Sequence, residues 1–219
     1  VTVTDSHDTT ATPPGLTHER VGMFADAVFA IAITLLVIEL PRPEGHVEEG
    51  GDRLAMAGAL WHFLGEHSGE FLAFFIAFMV LWVAWRQHHT TFDQITRATP
   101  GMMLLHVPLL IFVVLLPYPT ALIGENSVNP LSVALFAGSE AGLLLSQAAL
   151  LIAAVRGGVL RPGADVTRLR IHAVRLIVIA VFWLITAGLT WLVDGVPLAW
   201  LLTPVVAMPA AKIARRVMS

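Results

Sequence analysis

The sequence predicts an all-α membrane protein with six transmembrane helices, both termini in the cytoplasm. Of its 219 residues, 56% are hydrophobic and 13% charged, an apolar excess beyond ordinary soluble usage. The apolar residues fall into blocks near the ~20 residues a helix needs to cross hydrocarbon. Arg and Lys collect between alternate blocks, as the positive-inside rule requires of a multi-pass chain.

Val1–Glu19 reads as a disordered cytoplasmic tail, rich in Thr, Asp and Pro without periodicity, and 20–217 as one six-helix domain. The tail lacks the basic start and apolar stretch of a secretory signal. The first span runs from about Val21 to Leu40 and is stopped by Pro41 and Pro43. Leu54–Glu66 is a mixed helix expected outside the hydrocarbon, and Ser68-Gly69 separates it from the second span, about Phe71–Trp85. The third is about Gly101–Leu116, closed by a Pro117-Tyr118-Pro119 corner, and the fourth is Leu131–Val155. The fifth and sixth, about Ile171–Val193 and Val196–Ile213, form a hairpin around Asp194-Gly195.

With this layout Arg20, Arg86, Arg97, Arg156, Arg161, Arg168, Arg170, Arg175, Lys212, Arg215 and Arg216 share one side, opposite Arg42 and Arg53. Eleven cations against two put that side in the cytoplasm. The outer loop after the first helix carries Glu44, Glu48, Glu49 and Asp52, a solvated loop whose charge would modestly concentrate cations.

There is no cysteine, which removes disulfides, thiolate metal sites and thiol nucleophiles. No basic run interleaved with aromatics suggests a nucleic-acid partner. The sequence contains no Thr-Val-Gly-Tyr-Gly carbonyl filter, Gly-rich phosphate loop, His-Glu-x-x-His zinc helix or Gly-x-Ser-x-Gly elbow. Nothing pairs a nucleophile with a base, so no enzyme, cofactor or resident metal is expected.

One stretch is specific: Arg20-x-x-x-Phe24-Ala25-Asp26 leads directly into Ala27–Leu40. It resembles the Arg-x-x-x-Phe-Ser-Asp signature of the lysosomal potassium channel called transmembrane protein 175 and its single-repeat prokaryotic relatives. Trp85-Arg86-Gln87-His88-His89-Thr90-Thr91-Phe92 is similar to that family's Trp-x-x-His-His-x-x-Phe, and Pro117-Tyr118-Pro119 to its third-helix corner. The family's serine is Ala25 here, which removes a hydroxyl near the cytoplasmic end.

The resemblance implies a homotetrameric potassium-selective channel in the cell membrane of a bacterium, with potassium as its only, transient, metal. Four first helices would line the pore, and bulky apolar side chains would replace a carbonyl filter. At about 100° per residue Ile31, Leu35 and Ile38 share one helical face, with Thr34 on its margin and Val28 a turn below. The helix is apolar all round, so periodicity alone does not choose that face over one buried against lipid or protein. By position from Asp26 the resemblance makes Ile31 the narrowest ring and Thr34 the selectivity layer above it.

Arg20 and Asp26 lie near the same end, six residues apart, and point in different directions. A charge there is costly without a partner, so Asp26 is expected to clamp across helices onto His88, His89 or Arg86. His88 and His89 diverge by about 100° and could not readily share a metal ion. In the fourth span Ser139, Glu140, Ser146 and Gln147 form a polar stripe at seven-residue spacing, expected to be an interhelical hydrogen-bonding seam. The alternative function is a proton-coupled secondary transporter using Glu140, with His106 as a second group.

Overall fold

The structure is a computed structural model that describes residues 18–43 and 52–208. The expected tail up to Thr17, the acidic residues Glu44, Glu48 and Glu49, and the basic Lys212, Arg215 and Arg216 lie outside the described residues.

Among the described residues the chain is all-helical, with seven α-helices. Helix α1 is His18–Leu35, extended by a 3-10 turn at Leu36–Glu39. Leu40 then turns extended (φ −70°, ψ 136°), as a residue just before a proline must. Helix α2, Arg53–Glu66, starts at Asp52, whose carboxylate accepts the Leu54 N–H at 3.2 Å. Only His67 separates it from α3, Ser68–Phe92. Helix α4 (Pro100–Leu115) is capped by Thr99, α6 (Pro130–Arg156) by Asn129 and α7 (Val166–Leu189) by Asp165, each accepting a first-turn N–H. Pro100 and Pro130 each occupy a first turn, where the missing N–H had no intrahelical partner.

The third span corrects one expectation. Pro117 does not end it: Leu116 keeps helical dihedrals (φ −56°, ψ −36°), and α5, Pro117–Glu125, continues the same apolar segment. Both Pro117 and Pro119 fall in the first turn of α5, where proline costs no helix hydrogen bond. Thr120 closes the joint, its hydroxyl donating to the Leu116 carbonyl at 2.7 Å.

Among the described residues, five segments are long and apolar enough to cross a membrane: His18–Glu39, Ser68–Phe92, Pro100–Glu125, Pro130–Arg156 and Val166–Leu189. The expected sixth span is described only to Met208, and begins as a 3-10 helix, Val196–Leu202, after a turn at Gly195 (φ 75°). That left-handed dihedral suits glycine, which has no Cβ to clash.

Helix α6 is the centre of the bundle. It is buried along its whole length, from Ser132 and Val133 to Leu151 and Ala154. It packs most extensively on α7 and then on α4, while α1 crosses α3 and α4, and α5 lies along α3. Small residues permit the closest approaches. A Cβ on Gly124 of α5 would lie 3.0 Å from the Glu70 Cα of α3, and one on Gly142 of α6 would lie 2.3 Å from the Phe112 ring of α4.

At one end the loops after α3 and α6 join through a single antiparallel bridge, Ile95 with Leu160. Thr96 and Arg161 donate their N–H groups to the Val159 and Gln94 carbonyls, both at 2.8 Å. His18 at the start of α1 meets Phe92 there, so Arg20, Arg86, Arg97, Arg156, Arg161 and Arg168 belong to one end of the bundle.

Because the Gly124 contact is with backbone, Gly124→Val should separate α5 from α3 and lower stability by about 1–3 kcal/mol. A thermal unfolding series in detergent, with the wild type alongside, measures this.

Candidate functional site

The face that α1 buries is selected by its neighbours. Ala25, Phe29, Ala32 and Leu36, at i, i+4, i+7 and i+11, are at most 1% exposed. Phe29 reaches the His88 ring of α3, with centroids 5.8 Å apart. Ala25, standing where the resemblance expects serine, is thus inside an apolar seam where a methyl group requires no hydrogen-bond partner.

The opposite side of α1 is uncovered within the subunit. Ile31 is 58% exposed, Ile38 59% and Leu35 37%, and Thr34 and Phe24 are exposed with them; Val28 is half-buried. The Thr34 hydroxyl donates to the Ile31 carbonyl at 2.8 Å. With its hydrogen committed to the backbone, the oxygen keeps acceptor lone pairs, the character a cation requires.

Asp26 joins α1 to α3 near the arginine-rich end. One carboxylate oxygen accepts the Trp85 indole N–H at 2.9 Å, and the other lies 3.4 Å from His89 Nδ1. Trp85 and His89 are four residues apart on α3, on the same face, and their rings stack at 5.6 Å. His89 also lies 3.8 Å from Asp93. Arg20 and Arg86 are both exposed at this end.

His88 does not join this group. It points about 100° away from His89, as adjacent helical residues must, and is buried against Phe29, Phe92 and His106. His106 Nδ1 lies 2.7 Å from the Met102 carbonyl and so donates to it, leaving Nε2 as acceptor for the His88 Nε2–H at 3.3 Å. The expectation of His88 as a partner of Asp26 is therefore corrected, and Trp85 is the partner it missed. The signal was available: an indole N–H in a mostly apolar stretch needs an acceptor, and Asp26 needs a donor.

The α6 stripe is buried, and among the described residues only one member crosses to another helix. Gln147 donates to the Ala84 carbonyl of α3 at 2.8 Å, whereas Ser139 and Ser146 donate to the Leu135 and Gly142 carbonyls of their own helix. One Glu140 oxygen is buried with no hydrogen-bond partner among the described residues. His106, the other transporter candidate, is engaged by Met102 and His88.

With this geometry in view, the family described as endosomal/lysosomal potassium channel TMEM175 matches residues 20–117. Over 106 residues the chain is 36% identical to a protein of Streptomyces collinus named as a potassium channel, covering 48% of this chain and 47% of that one. A solved structure of a lysosomal potassium-selective channel TMEM175 homolog from Chamaesiphon minutus superposes with a TM-score of 0.62 and 26% identity, over 88% of this chain and 97% of that one. The chain is TMEM175-like over residues 20–117. A bovine TMEM175, named as an endosomal/lysosomal proton channel, is 40% identical over 103 residues, 47% of this chain and 21% of that protein. The match thus spans about half the length of the bacterial potassium channels and a fifth of the bovine one. The TMEM175 match contains α1 from Arg20 onward, the Asp26 clamp and the whole of α4, and TMEM175 structural likeness extends over the later helices.

The clamp predicts a specific energetic coupling. Asp26→Ala and Trp85→Phe should each lower stability by about 1–2 kcal/mol, and the double variant should cost less than their sum. A double-mutant cycle of thermal unfolding in detergent checks this, and strict additivity would mean the contact contributes nothing.

Proposed function

We propose that this protein is a potassium-selective cation channel of the bacterial plasma membrane. Four copies place α1 around a central pore. The observation that carries this reading is the uncovered apolar stripe of Ile31, Leu35 and Ile38, with Thr34 beside it, on a helix whose other face is fully packed. In a membrane an apolar stripe is accommodated equally by lipid and by further copies of the chain, and a ring of four such helices encloses it. The TMEM175 relatives support the choice of cation channel, and the Chamaesiphon minutus structure is named as potassium-selective.

In this reading a ring of Ile31 side chains forms the constriction. An apolar ring narrow enough to expel water closes by dewetting, and an ion passes only by shedding part of its hydration shell. Potassium, the larger ion, holds that shell less tightly than sodium and loses it at lower cost. The Thr34 oxygens, acceptors because their hydrogens are given to Ile31 carbonyls, replace part of the lost shell one turn further along. The Asp26 clamp to Trp85 and His89 fixes the rotation of α1 about its axis and so which residues face the pore. The arginine-rich end is the cytoplasmic end, by the charge asymmetry of the loops.

A second reading is favoured by the buried, unpaired oxygen of Glu140 near the middle of α6: a proton-coupled transporter. The two differ in which residue controls transport.

Flux and reversal potential in liposomes, with potassium on one side and sodium on the other, test both. Ile31→Asn should increase current and reduce the potassium over sodium permeability ratio by roughly tenfold, ~1.4 kcal/mol of discrimination. Unchanged selectivity in well-expressed tetramers would remove Ile31 from the constriction. Glu140→Gln should leave passive current in place, whereas loss of all transport with tetramers intact would favour the carrier.

A further inference from the structure

A cavity of about 660 Å³ opens between the C-terminal turns of α3 and the first turns of α7, at the arginine-rich end of the bundle. Three guanidinium groups line it, Arg86 from α3 and Arg168 and Arg175 from α7, against one carboxylate, Asp165. Asp165 is already engaged, accepting the Arg168 backbone N–H at 2.9 Å as the cap of α7. Among the described residues, none of these three guanidiniums has a carboxylate within ion-pair distance.

The remaining lining groups add donors. Arg175 Nη2 lies 3.2 Å from His172 Nδ1; a guanidinium only donates, so Nδ1 accepts and the neutral His172 carries its hydrogen on Nε2. The side-chain amides of Gln87 and Gln94 also line the space. Arg86 and Arg168 are exposed and Arg175 is half-buried, and like charges gathered at the ends of apolar helices repel one another, a cost that an anion removes. The volume lies within the range of small-molecule sites and far exceeds a lone halide. Planar guanidinium forks on facing helices match the oxygens of a phosphate group, each able to give two parallel hydrogen bonds.

We propose that this cavity binds a phosphate-bearing anion, held by Arg86, Arg168 and Arg175 and contributed either by a phospholipid headgroup or by a soluble phosphate compound. Both sources present the same chemistry to the arginines. The site is separate from the α1 stripe, so its test reads binding rather than conduction.

The full chain, purified in neutral detergent, is titrated with inorganic pyrophosphate while thermal unfolding is followed. In parallel it is mixed with phosphatidylcholine vesicles with and without phosphatidylglycerol, and retained lipid is read by native mass spectrometry. Wild type is expected to bind in at least one arm, and Arg168→Gln with Arg175→Gln to weaken that binding by at least about tenfold. Raising the salt should weaken it as well. Arg161→Gln, an exposed arginine outside the cavity, should bind as wild type does. Arg168→Lys with Arg175→Lys keeps the charges without the forks, should fall between the two, and supplies the same comparison if the glutamine variant is poorly recovered. Binding of pyrophosphate alone assigns the site to a soluble phosphate, and retention of phosphatidylglycerol alone to a lipid headgroup. Binding in neither arm, or equal binding by wild type and the double glutamine variant, overturns the proposal.

Discussion

A backbone crossing hydrocarbon must satisfy its own hydrogen bonds, and here every long segment does so as a helix. Lipid tails are as apolar as leucine, so helices do not associate by excluding water from oil; they hold together by close packing and by a few polar contacts. Helix α6 supplies most of that packing, buried from end to end against α4 and α7, with Gly142 letting the Phe112 ring come close. The Gly69 and Gly124 approach does the same for α3 and α5. Against this assembled block α1 can be laid with one face covered and one face open.

The open face is defined by the packed one. Ala25, Phe29, Ala32 and Leu36 are covered by α3, α4 and α5, and Asp26 is held beside them by the Trp85 indole and His89. In a low-dielectric setting a half-buried carboxylate with a directed donor resists rotation more than an apolar contact does. A rotation of α1 by one residue, about 100°, would break that contact and replace Ile31 on the open face. The clamp and the stripe are therefore parts of one arrangement, and the proposed pore geometry depends on the clamp.

Polar groups elsewhere in the spans are arranged to conserve hydrogen bonds inside single helices. Thr34, Thr120, Ser139 and Ser146 all donate to carbonyls three or four residues earlier. Among the described residues, contacts between helices are fewer: Trp200 donates to the Thr186 hydroxyl of α7, and three more are Asp26 with Trp85, His88 with His106, and Gln147 with the Ala84 carbonyl. These last three involve α3, which links α1, α4 and α6 through side chains while α6 makes the most extensive packing. The arginine-lined cavity also has α3 as one wall, so the same helix carries the clamp on one face and guanidinium and amide groups on another.

Much of this was legible in the residues. Block lengths and flanking prolines located the spans, because the thickness of hydrocarbon and the proline ring act locally. The Phe24-Ala25-Asp26 and Trp85-to-Phe92 motifs marked the α1 and α3 segments that meet, and the cost of an unpaired carboxylate required a partner for Asp26. Tertiary structure decided what local rules leave open. It carried the third span past Pro117 as a second helix, chose Trp85 and His89 over His88, and left the polar stripe of α6 with one crossing contact among the described residues, from Gln147. It also selected the covered face of α1, since a helix apolar on every side has no preferred orientation until its neighbours are in place.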